Sequence, residues 1–267
     1  MAPESCLIES LPNEILVASL AFFSARELII HVLPISRRFR VLATRILYRR
    51  LVETSPLPHN ELILECYHPS AKISTPYLSC RYLGLKRAGE QPIHDDALNL
   101  GDLNRLYSSF RPVLAEENRG SRRRQRSSRS EGESSLGDEA ATQDLHLDDG
   151  ELFSQLCTAT NVVKETTTRG LFVSHINTCD GVIRVWRQWL AEKAGCSRSN
   201  GNNGVPKSTV DFENILWVDT AKNVGLRFRV ELGPVERMPL MYDVGDDAPV
   251  TYTLTYQGTD WLLTVPE

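Results

Sequence analysis

Cys66 and His68, one residue apart in LILECYHP, are the residues in this chain whose types and spacing come nearest to a fragment of a metal site. Zinc takes four ligands, and no second pair stands at a matching distance. The six cysteines (Cys6, Cys66, Cys80, Cys157, Cys179 and Cys196) include no CxxC pair, so ordinary reduced thiols are expected. Carboxylates at Asp95-Asp96, Asp148-Asp149 and Asp246-Asp247 have the chemistry for acid–base work or cation binding. Each pair sits in a polar, loop-like stretch, where solvated charge is the ordinary outcome. His59, His68, His94, His146 and His175 are separated by irregular gaps, and no HExxH, GxSxG, P-loop or dinucleotide-binding glycine pattern occurs. The chain is therefore expected to be non-catalytic, with no metal and no cofactor.

Recognition is better represented than reaction. VIRVWRQWL, Val182 to Leu190, has the composition of a strand, and alternation would place Trp186 and Trp189 on opposite faces with Arg184 and Arg187 close by. Burial in a core is the usual fate of a tryptophan, but one of these would stay exposed beside an arginine. Arg184, Trp186, Arg187 and Trp189 are thus the candidate target-binding residues.

The elements that position them are mostly strands. Leu62 to Tyr67 and Tyr77 to Leu83 have strand length and apolar content, and Asp102 is placed to cap a helix running through Leu103, Leu106 and Phe110. Leu171 to Asn177 and Val182 to Leu190 flank Thr178-Cys179-Asp180-Gly181, which predicts a hairpin. Leu226, Phe228, Val230 and Leu232 alternate with charged residues. Tyr252, Leu254 and Tyr256 alternate with threonines, and a turn at Gln257-Gly258-Thr259-Asp260 is expected to send the chain back through Trp261, Leu263 and Val265. Gly201 to Pro206 has the composition of a flexible loop. Antiparallel strands with short connections favour a β-sandwich-like domain.

Between 116 and 150 the composition shifts. RGSRRRQRSSRS holds six arginines, and eight acids follow between Glu131 and Glu151. This stretch is expected to be a disordered insertion. Its arginine run suits either a nuclear localisation signal or nucleic-acid patch, or a solvated loop.

Helix signals crowd the N-terminus. Pro12 suits a first helical position, with Glu14 near the positive end of the dipole and Ile15, Leu16, Leu20, Phe22 and Phe23 as apolar surface. Ser24-Ala25-Arg26-Glu27 has the form of a capping box, with Phe23 and Leu28 placed for a hydrophobic staple. The helix that follows should be short, because Pro34 disfavours helix in the residue before it. Ile35, Phe39, Leu42 and Ile46 then form one stripe, beside Arg37, Arg38, Arg45 and Arg49. Three short helices with apolar residues around much of their girth leave surface that a partner, or the rest of the chain, must cover.

The pattern Leu11-Pro12-x-Glu14-Ile15-Leu16, Leu20, Phe22-Phe23, Glu27-Leu28, Ile35-Ser36-Arg37-Arg38-Phe39, Tyr48 and Leu51 resembles the F-box, especially that of fungal F-box proteins. It differs in Pro34, where leucine is more usual, and in Tyr48, where tryptophan is frequent. The resemblance implies a module that binds the Skp adaptor of a Skp-cullin-F-box ubiquitin ligase, through Leu11, Pro12, Glu14, Ile15, Leu16, Leu20, Phe22, Phe23, Leu28, Ile35, Phe39 and Leu42. The remaining chain would capture an unknown protein substrate. The competing expectation is a nuclear nucleic-acid-binding or scaffold protein using Arg37, Arg38, Arg45 and the arginine run. The third helix has little Asn, Gln or Ser for reading bases, so nucleic acid is the less favoured partner.

The expected organisation is α+β: a three-helix F-box at 1–52, a β-rich domain at 53–115 and 151–267, and the insertion at 116–150 between its halves. A net charge of -4, 41% hydrophobic residues and no apolar run of bilayer-spanning length lead to an expectation of a cytoplasmic or nuclear protein with no membrane partner.

Overall fold

The computed structural model describes residues 7–87, 99–114, 141–166, 171–199, 215–233 and 248–262. By contact it falls into two compact units. One comprises Met1–Pro56, Leu85–Ser108 and Leu262–Glu267, and the other Leu57–Gly84 and Ser109–Trp261.

In the first unit a 3-10 turn at Leu7–Ser10 precedes α1 (Asn13–Leu20). Pro12 takes the N-cap position of α1 and Glu14 lies in its first turn. Ser24 then caps α2 (Ala25–Glu27): its side chain accepts the Glu27 N–H, and the Glu27 carboxylate accepts the Ser24 N–H at 2.7 Å. That Ser24 N–H, together with the Ser24 hydroxyl donating to the same carboxylate at 2.9 Å, holds the Glu27 carboxyl below its ordinary range. The predicted helix does not continue regularly. Leu28–Val32 is a π-helical turn, with the Leu33 N–H reaching back to the Leu28 carbonyl. This turn places Leu28, Val32 and Leu33 inside and leaves Ile29 and Ile30 outside. Ser36 caps α3 (Arg37–Thr54), whose Phe39, Leu42, Ala43, Ile46, Leu47 and Leu51 meet Leu16, Leu20, Leu28, Val32, Leu103 and Leu106 in one core. The stretch Leu85–Ser108 thus groups with the N-terminal helices, and the Ser108 hydroxyl donates to the Ser55 carbonyl at 3.0 Å.

Residues 102–110 differ from expectation. A single helical turn, α4 (Leu100–Leu103), is capped by Asn99, with Asp102 as its reciprocal partner at 3.0 Å. Leu106–Leu114 is a strand. Leu106 to Phe110 are buried without exception, a pattern suited to a strand covered on both faces rather than to a half-exposed helix.

The described strands are β1 (Glu61–Tyr67), β2 (Leu78–Arg87), β3 (Leu106–Leu114), β4 (Thr142–Leu147), β5 (Phe153–Glu165), β6 (Phe172–Trp186), β7 (Ile215–Trp217), β8 (Val224–Leu232) and β9 (Val250–Leu262). They form one sheet in the order β6-β5-β1-β2-β3-β9-β8-β7, with β4 also paired to β9. The pairings of β1 with β2 and β5, of β5 with β6, and of β9 with β4 and β8 are antiparallel. The α+β class and the mainly antiparallel sheet stand, but two facing sheets give way to one curled sheet. Val218, the residue after β7 at one end, comes so close to β6 at the other that a Cβ on Gly181 would lie 2.7 Å from its carbonyl oxygen. The inner face gathers Leu62, Leu64, Leu156, Ile183, Val185, Val224, Leu226 and Leu254 into one core.

Both predicted turns are interior to long strands. Thr160 pairs with Cys179 and Asn161 with Asn177, so Thr178 is an extra residue in continuous β6. Gln257 is likewise extra where Phe228 pairs with Tyr256 and Arg227 with Gly258. A chain reversal and a β-bulge use the same residue types, and the neighbouring strand decides between them. The insertion also needs correction at its end. Residues 142–147 form β4, because Leu145 and Leu147 alternate into the core against Tyr252 and Val250 of β9. The arginine run and the loop expected at 201–206 lie outside the described residues.

Candidate interaction surfaces

The N-terminal pattern divides by exposure. Leu16, Leu20, Leu28, Phe39 and Leu42 are buried and hold their own unit together. Leu11, Pro12, Glu14, Ile15, Phe22, Phe23 and Ile35 are exposed. Phe22 is 93% exposed, Ile35 61% and Ile15 52%, values at which a large apolar side chain gains little from its own fold.

Two arginines of α3 are structural. Arg38 donates to Asn13 Oδ1 at 2.8 Å and to the Leu11 carbonyl, tying down the start of α1. Arg50 donates to the Ala21 and Phe23 carbonyls at 2.8 and 2.7 Å and so satisfies the end of the same helix. Of the arginines expected to meet phosphate, Arg38 is therefore already engaged, whereas Arg37 and Arg45 are exposed.

The four candidate residues on the sheet unit separate. β6 ends at Trp186, and α5 (Arg187–Ser199) begins at the next residue, so the expected strand through Leu190 is half helix. The reason lies in spacing: Leu190 and Ala194, four apart, both enter the core, while Gln188 donates to Glu192 at 3.1 Å. Trp189 packs against that core from α5. Arg187 is a clamp. Its Nε, Nη1 and Nη2 donate to the carbonyls of Glu151, Ala248 and Asp148 at 2.7, 2.8 and 2.6 Å. Arg187→Ala is expected to destabilise this unit by about 2 kcal/mol, and Arg187→Lys to restore less than half of that, because an ammonium cannot span three carbonyls. Urea unfolding measures both, and an unchanged midpoint for the alanine variant would contradict the clamp.

Arg184 and Trp186 remain exposed on the outer face of β6. Trp186 pairs across the strands with Phe153, their rings 5.2 Å apart and tilted by 56°, and the Arg184 guanidinium lies 5.4 Å from the Phe153 centroid. Phe153 was not apparent as a site residue, since its partner is 33 positions away. It also lines a groove of about 500 Å³ with His68, Pro69, Glu151, Leu152, Ser154 and Gln155. His68 is committed to a turn: its Nδ1 accepts the Ser70 N–H at 3.3 Å and lies 2.6 Å from Ser70 Oγ.

Cys66 is buried in the core, whereas the His68 ring is held by Ser70 in the turn that follows β1. Among the described residues no three His, Cys, Asp or Glu side chains gather as a metal site. The Asp148 carboxylate lies 3.1 Å from His146 Nε2 on the exposed surface. Asp95-Asp96 and Asp246-Asp247 lie outside the described residues. No helix among the described residues is long and apolar enough to cross a membrane.

Burial pushes the Cys66 thiol up to about 12 and raises the Cys80 thiol and the Tyr256 hydroxyl, which donates to Gln143 Oε1 at 2.7 Å. In the unfolded chain the thiols ionise from about pH 9, whereas the native state keeps its protons. Stability is therefore complete below about pH 9 and falls as pH rises towards 12. A urea midpoint that holds constant from about pH 8 to about pH 11 would contradict this.

No family model matches the chain, and no curated protein or solved structure matches it.

Proposed function

We propose that this chain is the substrate receptor of a Skp-cullin-F-box ubiquitin ligase, with the N-terminal helices binding the Skp adaptor and the sheet unit binding a protein target. The observation that carries this proposal is the split within the N-terminal pattern. Alternate apolar residues build a core, while Leu11, Ile15, Phe22, Phe23 and Ile35 are left on the surface. A surface of that kind marks a protein-binding site. In this role the chain catalyses nothing itself; it brings two partners together.

Binding of the recombinant full-length chain to purified Skp adaptor tests the proposal. Complex formation at micromolar concentration is the expected result, and its absence at about 10 µM would overturn it. Titration with duplex DNA separates the nucleic-acid alternative, which demands affinity that falls steeply with salt.

A further inference from the structure

Arg184 has no hydrogen-bond or ion-pair partner among the described residues, whereas in the same unit Arg187 donates to three carbonyls and Arg227 is ion-paired with Asp260. Its guanidinium is nevertheless held in place, stacked against Phe153, which in turn leans on Trp186. Around this fixed cation the surface is apolar: Trp186 is 50% exposed, Val182 55% and Leu152 62%. Gln155, opposite Arg184 in the ladder, adds an amide at the border of the groove. Glu151, the carboxylate among the residues lining the groove, accepts the Asp148 N–H at 2.9 Å.

A cation with no counter-ion among the described residues, pre-oriented on an aromatic ring and bordered by exposed apolar side chains, complements an anion carried next to an apolar group. We propose that Arg184, Phe153 and Trp186 form a docking site for a peptide segment of the target in which a carboxylate side chain adjoins an aromatic or aliphatic one. The carboxylate meets the outward N–H groups of Arg184, and the apolar neighbour covers Trp186 and Leu152. Phe153 serves as the platform that keeps Arg184 from collapsing into solvent-averaged rotamers, so less side-chain entropy is lost on binding. This inference rests on the substrate-receptor proposal for its biological meaning, but its chemistry is independent of the adaptor.

The test uses the full chain and two capped peptides of one length, Leu-Asp-Phe-Asp-Leu and Leu-Lys-Phe-Lys-Leu. The readout is the NMR shift of the Trp186 indole N–H, assigned with Trp186→Phe. The acidic peptide is expected to move that signal and to bind about fivefold or more tightly than the basic one. Arg184→Gln, an exposed substitution that should keep the wild-type urea midpoint, is expected to bring the two peptides within about twofold. No shift at millimolar acidic peptide, equal shifts from both peptides, or a preference that survives Arg184→Gln would each overturn the proposal. A segment of the chain itself already covering the site would appear as the first of these. Loss of peptide binding with adaptor binding intact would sink this inference alone, and the reverse result would sink the ligase proposal alone.

Discussion

A chain carrying Ile15→Glu and Phe22→Glu is expected to bind the Skp adaptor about a hundredfold more weakly than wild type while unfolding at the same urea concentration. Both side chains are more than half exposed, so neither contributes much to its own core. At the proposed interface each would be a desolvated apolar anchor, and a carboxylate there would be buried without a partner. A hundredfold loss corresponds to about 2.7 kcal/mol, a modest demand on two such anchors. Leu28→Glu is the contrasting variant: Leu28 is 0% exposed, so this change should unfold the helical unit and remove binding for a different reason. Circular dichroism separates the two effects. If the double variant binds within about threefold of wild type, the exposed row is not the adaptor surface.

Arg227→Ala is expected to cost the sheet unit about 3 to 5 kcal/mol. Arg227 on β8 faces Asp260 on β9, with Nε 2.8 Å from Oδ2 and Nη2 3.2 Å from Oδ1, and Nη2 also donates to Ser109 Oγ on β3 at 2.9 Å. The Asp260 side chain is only 2% exposed. Removing the guanidinium leaves that carboxylate buried and uncompensated, which costs far more than the pair itself contributes. Arg227→Met with Asp260→Leu should therefore recover most of the loss, since both charges leave together. Gly258 belongs to the same arrangement, because a Cβ there would fall 2.5 Å from Arg227 Nη2. Unfolding by urea of the single and double variants measures the cycle, and equal losses in both would refute the account.

Much of the helical unit was legible because its signals are local. The capping box at Ser24 and Glu27 involves residues three positions apart and occurs where expected, while Pro12, expected at the first helical position, stands one residue earlier as the N-cap of α1. Amphipathic spacing also identified Phe39, Leu42 and Ile46 as one buried stripe. Ile35, four residues before Phe39, lies outside helix α3 and is exposed instead. The alternations at Leu226, Phe228 and Val230 and at Tyr252, Leu254 and Tyr256 were equally readable, since a strand with one face in the core repeats every second residue.

What failed was every inference that required knowing a distant neighbour. Thr178-Cys179-Asp180-Gly181 and Gln257-Gly258-Thr259-Asp260 have turn composition, yet β5 and β8 continue alongside and make them bulges. The glycines are needed because Val218 and Arg227 approach them, a fact absent from their own segments. Arg187 and Arg184 look alike three residues apart, but the chain places three carbonyls around one and an aromatic ring beneath the other.

Taken alone, the amino-acid sequence determined the periodic faces, the capping box at Ser24 and Glu27 and the absence of recognisable catalytic motifs, all consequences of chemistry within one or two turns of chain. Tertiary structure alone decided which charges are spent on the fold and which stay available. The Arg187 and Arg227 guanidiniums are committed by carbonyls and a carboxylate that the fold brings from more than 30 positions along the chain.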